Sequence, residues 1–138
     1  MDADPLTRAD FRRLIPIRRP QPIAPPPRIW TAEQWARIRY GVNAELLDER
    51  WLALVEGDRL HLHRSWTGYG VYRADFAPCP GGRRIRTAWV EGDRARYRRG
   101  SDRHEAVLLE TVIRAVILNR ESAALERRLL AAMGLAEV

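Results

Sequence analysis

The alternation of apolar and polar residues changes period along the chain, and the first clear period is helical. Trp35, Ile38 and Val42 repeat at i, i+3 and i+7 within IWTAEQWARIRYGV, which is the spacing of one face of a helix. Thr31 and Gln34 have capping-box spacing, and Trp30 sits where a hydrophobic staple begins. The pattern predicts a helix that begins just after Thr31.

The middle of the chain has the shorter period of β-strands. RWLALVEGDRLHLHRSW contains two runs around Gly57 and Asp58, a residue pair typical of hairpin turns. TGYGVYRADF and RRIRTAWV are a third and a fourth run, and ARYRR is a candidate fifth. Because a parallel crossover needs a dozen or more residues, these short connections predict an antiparallel meander.

The last third is helical again. Ala106, Leu109, Ile113, Val116 and Ile117 form one apolar face behind Ser101, an N-cap residue type, and ESAALERRLLAAMGL predicts a further helix. We therefore expect an α+β domain: a four- to five-stranded antiparallel meander with an N-terminal helix and two C-terminal helices packed on one face.

Residues 1–28 differ from this domain in composition. IPIRRPQPIAPPPR holds six prolines, whose fixed φ and missing N–H exclude helix or central strand. The prediction is a flexible, extended, loosely attached arm over residues 1–28 and a single domain over residues 29–138.

The charged residues are unevenly distributed along the chain. The net charge of +6 is the difference between 24 basic residues, all arginine, and 18 acidic residues. Arginine without lysine is also what a GC-rich coding bias produces, but the excess is concentrated in residues 1–30 and 83–99. The chain has no apolar run of the roughly 18 residues that a membrane span requires, no secretory h-region and one cysteine. These features predict a cytoplasmic protein that does not enter membranes.

The two neighbouring histidines are the first candidate for chemistry. In the predicted strand Leu60 and Leu62 point one way, so His61 and His63 share the opposite, open face. A metal needs a third ligand that the pattern does not supply, so we predict no metal and no cofactor. A hydrolase or transferase acting on a phosphate-bearing small molecule through His61, His63 and Arg64 stays open, with catalytic residues unassigned.

The residues that follow are better suited to recognition. Arginine offers a planar fork for phosphate, serine and threonine offer hydroxyls, and tryptophan and tyrosine offer stacking faces. The candidate ligand-binding residues are His61, His63, Arg64, Ser65, Trp66, Thr67 and Tyr69. The plain alternative is a Thr67–Gly68 turn with Trp66 in the core.

A second candidate is the arginine-rich segment 83–99. Alternation aligns arginines on strand faces with Trp89 and Tyr97 interleaved, a pattern typical of single-stranded nucleic-acid binding. The predicted basic surface consists of Arg84, Arg86, Arg94 and Arg96.

The segment DERWLALVEGDRLHLHRSWTGYGVYRADF resembles a small bacterial domain family with a DERW…HRSWTG…Y core. Members occur alone or attached to larger proteins, some of them linked to ADP-ribose processing. The resemblance spans residues 30–118 and omits the arm. It implies that residues 64–68 belong to the defining segment of the family and assigns them no role.

Three functions follow as expectations. The first is a bacterial binding or interaction domain, immunity- or antitoxin-like, that engages a protein partner or a nucleotide-type ligand through the open sheet face and the HRSWTG hairpin. The second is the phosphate-directed enzyme, and the third is nucleic-acid binding. An open sheet face and an apolar last helix also leave a homodimer open.

Overall fold

The computed structural model describes residues 4–44 and 50–118, which form an α+β fold around one antiparallel sheet. Its strands are β1 Pro20–Ile23, β2 Ile29–Trp30, β3 Trp51–Glu56, β4 Arg59–Arg64, β5 Gly70–Cys79 and β6 Gly82–Glu91. Strands β3 to β6 form the predicted meander, and β1 and β2 both pair with the outer edge of β6. The sheet therefore has six strands, where the sequence predicted four or five.

Two α-helices accompany the sheet. Helix α1 spans Ala32–Tyr40, and Thr31 and Gln34 form the predicted capping box. Helix α2 spans Asp102–Val112 behind the Ser101 cap and continues as a π-helical segment over Ile113–Leu118. The predicted last helix lies outside the described residues. Within the described residues, no helix is long and apolar enough to cross a lipid bilayer.

The predicted fifth strand is wrong. Residues 94–96 form a turn, because Asp93 binds the backbone that follows it. Its carboxylate accepts a hydrogen bond from the Ala95 N–H at 3.0 Å, and its carbonyl oxygen accepts from Arg96 and Tyr97 at 2.9 and 3.0 Å. An aspartate that satisfies the next few N–H groups favours a turn over a strand ladder.

Alternation gives the sheet two different faces. Leu60, Leu62, Tyr72 and Ala74 belong to the larger core cluster, which also contains apolar side chains of both helices. The opposite face carries a smaller cluster around Phe11, Leu52 and Leu54. The larger cluster is the main core of the described chain.

Part of residues 1–28, predicted as a loosely attached arm, is held against the sheet. Phe11 packs on the sheet, Ile15 exchanges backbone hydrogen bonds with Gly68 and Gly70, and Pro20–Ile23 is the edge strand β1. The Arg19 carbonyl accepts from the Gly92 N–H, so by alternation Pro20 and Pro22 occupy positions that need no N–H toward β6. Proline excludes a central strand, but it permits this edge strand.

Candidate functional site

The two histidines lie on the same sheet face, as alternation predicted. In the ladder His61 is opposite Leu54 and His63 is opposite Leu52, and the two ring centroids are 6.3 Å apart. The face is not open there, because the N-terminal segment around Phe11 packs on Leu52 and Leu54. His63 is 4% exposed, and its Nδ1 lies 2.8 Å from the Gly68 carbonyl oxygen. His63 therefore fixes the β4–β5 loop from inside the protein.

His61 is partly buried and stays neutral at pH 7. Burial lowers its pKa to about 4, and the Glu56 carboxylate, 3.5 Å from its Nε2, opposes the shift without reversing it. Burial also lowers the pKa of His63. Neither ring gains the cationic form that would attract a phosphate.

Arg64 does not join the histidines. It pairs across the ladder with Trp51, and its guanidinium carbon lies 4.5 Å from the Trp51 ring centroid, so it belongs to the opposite face. His61, His63 and Arg64 therefore do not line one pocket. In residues 4–44 and 50–118, no group of three or more His, Cys, Asp or Glu side chains could hold a metal ion.

Residues 65–69 form a tight loop between β4 and β5. The Gly68 N–H donates to the Arg64 carbonyl at 2.8 Å, and the Tyr69 N–H donates to Thr67 Oγ1 at 3.1 Å. Gly68 has φ +77°, and a Cβ there would stand 2.8 Å from the Arg13 carbonyl oxygen, so glycine is required. The Thr67–Gly68 turn of the plain alternative is thus present in the structure.

The position of Trp66 differs from the one that the plain alternative predicts. Its side chain is 76% exposed, so it lies outside the core, and Thr67 beside it is exposed as well. Ser65 lies at the start of the loop, where its N–H donates to the Arg50 carbonyl. The loop therefore presents a large aromatic ring to solvent.

The turn that replaced the fifth strand brings an arginine to this loop. The Arg96 guanidinium carbon lies 4.6 Å from the Tyr69 ring centroid, and Arg96 Nη1 donates to the Pro16 carbonyl at 3.2 Å. Two regions that the sequence treats as separate candidates thus meet. We call the loop residues, together with Arg64 before the loop and Arg96 over Tyr69, the loop surface: Arg64, Ser65, Trp66, Thr67, Tyr69 and Arg96.

The four arginines of the predicted basic surface fall into two pairs. Arg84 and Arg86 are exposed on the first half of β6, whereas Arg94 and Arg96 lie in the turn after its end. Arg84 and Glu91 are seven residue steps apart along an extended chain, which is about 24 Å. Of the four, Arg96 contacts the loop, through the Tyr69 ring.

Sequence reasoning missed a cluster in the middle of the face that carries the histidines. We call Arg59, His61, Arg73 and Trp89 the sheet-face cluster. Arg73 pairs across the sheet with His61 on one side and with Trp89 on the other. The period-two pattern of YRAD and TAWV could have indicated this face, but the register was needed to align the strands.

The loop surface and the sheet-face cluster are defined by contacts and exposure within this chain. Compared with protein-family models, with curated proteins and with solved structures, the chain matches none of them.

Proposed function

We propose that the chain is a non-catalytic binding domain whose loop surface holds a phosphate-bearing, nucleotide-type ligand. The observation that carries the proposal is Trp66, 76% exposed on the loop in which Arg96 stacks over Tyr69. An exposed tryptophan on the loop whose tyrosine holds a stacked guanidinium offers one group for a base and one for a phosphate.

The chemistry of the loop surface fits the two ends of a nucleotide. A base can stack on an indole or phenol ring, and such stacking contributes about 1–3 kcal/mol for each base in single-stranded nucleic-acid complexes. A guanidinium held in one orientation binds phosphate through paired N–H groups. The Arg96 fork is oriented by the Tyr69 ring and the Pro16 carbonyl. The family resemblance adds ADP-ribose to the candidate ligands, because it has both an adenine and a diphosphate.

Isothermal titration with ADP-ribose, AMP and inorganic phosphate tests the proposal. We expect ADP-ribose to bind most tightly, and Trp66→Ala and Arg96→Gln each to weaken it about tenfold, since each removes one end of the site. Arg86→Gln is the matched control, because it removes the same charge from an exposed position on β6 outside the loop surface.

The outcomes separate the proposal from its competitors. Absence of binding to all three ligands would contradict it, and so would equal weakening by Arg96→Gln and Arg86→Gln. Preferential binding of an oligonucleotide that weakens steeply with salt would transfer the function to nucleic acid. Turnover of a phosphate ester that His63→Ala abolishes would favour the enzyme.

A further inference from the structure

The sheet-face cluster contains Arg73, whose guanidinium lies against a tryptophan ring. The Arg73 guanidinium carbon lies 4.3 Å from the Trp89 ring centroid, and that of Arg59 lies 5.9 Å from the same ring. The Arg73 and Trp89 side chains are both half-buried, so ring and guanidinium together form a shallow surface on the sheet.

The carboxylates around Arg73 are already engaged. Asp75 binds Arg59 through both oxygens, at 2.7 and 3.1 Å, and also accepts from Thr87. Glu56 is bound in the same two-pronged way by Arg8, at 3.1 and 2.7 Å. The neighbouring His61 is neutral at pH 7.

Arg73 forms no salt bridge in the part of the chain that the structure describes. No carboxylate oxygen of residues 4–44 or 50–118 lies within 4 Å of its nitrogens, and its buried Nε has no acceptor there. Burial and the nearby Arg59 lower the pKa of Arg73, and the Asp75 charge opposes them without reversing the shift. A carboxylate that docks beside such a half-buried cation stabilises it where the hydrogen bonds between them outweigh the cost of desolvation.

We propose that the sheet-face cluster is the docking site of an acidic segment of a protein partner. A carboxylate of the partner binds Arg73, and the apolar part of the same segment packs on Trp89. Charge complementarity argues for a carboxylate, because a cation without a salt bridge beside a flat apolar ring matches a segment in which carboxylates alternate with apolar side chains. Tryptophan and arginine are also the residues most enriched among interface residues that dominate binding energy.

A titration followed by the indole N–H resonances of the tryptophans tests this site. The probe is an acetylated and amidated Glu-Leu-Glu-Leu-Glu peptide. We expect the Trp89 resonance to move and the Trp66 resonance to stay, and Arg73→Gln to weaken binding about tenfold. Arg103→Gln, which removes an exposed arginine of α2, is the matched control and should leave the affinity unchanged.

Three results would overturn the inference. The first is a peptide titration that shifts the Trp66 resonance and not the Trp89 resonance. The second is equal weakening of peptide binding by Arg73→Gln and Arg103→Gln. The third is an oligonucleotide that shifts the Trp89 resonance more strongly than the peptide does. If Arg73→Gln does not give a folded amide spectrum, Arg73→Met replaces it, since methionine keeps an unbranched apolar side chain beside Trp89 and removes the charge. The two proposals are tested separately, because ADP-ribose binding is followed at the Trp66 resonance and peptide binding at the Trp89 resonance.

Discussion

At the scale of single residues, the sequence predicted the face on which His61 and His63 lie but not what covers that face. Alternation with Leu60 and Leu62 placed both rings on one face. Their surroundings depend instead on Phe11, about fifty positions earlier, which packs on Leu52 and Leu54, the residues opposite them in β3. A local pattern specifies the direction of a side chain, but a segment distant in sequence specifies what covers it.

The lowered pKa of His61 predicts a pH-dependent contribution to stability. The folded-state pKa of about 4 lies below the unfolded value of 6.5, so protonation favours unfolding as the pH falls through that window. Between pH 7 and pH 4.5 this costs on the order of 2 kcal/mol of unfolding free energy. His61→Gln should lose less stability over that range than the wild type, measured by urea unfolding at each pH. Identical pH profiles would contradict the pKa assignment.

At the scale of elements, a buried carboxylate attaches the N-terminal segment to the sheet. Glu91, at the end of β6, is fully buried and accepts three backbone hydrogen bonds, from Arg18 at 2.7 Å and from Arg19 and Asp93 at 2.9 Å. The charge of the carboxylate strengthens each bond. Glu91 therefore directs the chain into β1.

Replacing that carboxylate should loosen β1. In Glu91→Gln an NH₂ group faces N–H donors, so we expect a loss of about 2 kcal/mol of unfolding free energy, the range for hydrogen bonds to a charged group. Hydrogen exchange at the Gln21 and Ile23 amides should accelerate more than exchange in β5. Glu33→Gln, at an exposed position of α1, is the control. Unchanged exchange in β1 would show that Glu91 does not hold it.

The elements with local signals were predictable from sequence. The capping box of α1 is formed, and the four runs of alternation became β3 to β6. Strands β1 and β2 were missed because their pairing depends on the free edge of β6, which no local pattern reveals. The candidate fifth strand failed because the Asp93 side chain closes a turn.

At the scale of the whole molecule, the candidate site depends on three elements that are distant in sequence. Tyr72 of β5 and Tyr97 donate to the same oxygen of Glu105 in α2, at 2.6 and 2.7 Å. Burial alone would raise the Glu105 pKa, but hydrogen bonds from Tyr72, the Gly100 N–H and Tyr97 outweigh it and lower that pKa. The network fixes the segment from Asp93 to Gly100, and therefore the position of Arg96. Sequence could supply the residue types of the loop surface but not this convergence.

The loop surface is proposed to bind a nucleotide-type ligand, and the most direct test is an indole N–H titration with ADP-ribose. Trp66 is exposed on the loop, whereas Trp30 is fully buried in the core and Trp89 lies in the sheet-face cluster. We predict a saturable shift of the Trp66 resonance with those of Trp30 and Trp89 unchanged. An unmoved Trp66 resonance at saturating ADP-ribose, or a shift of Trp89 alone, would contradict the claim.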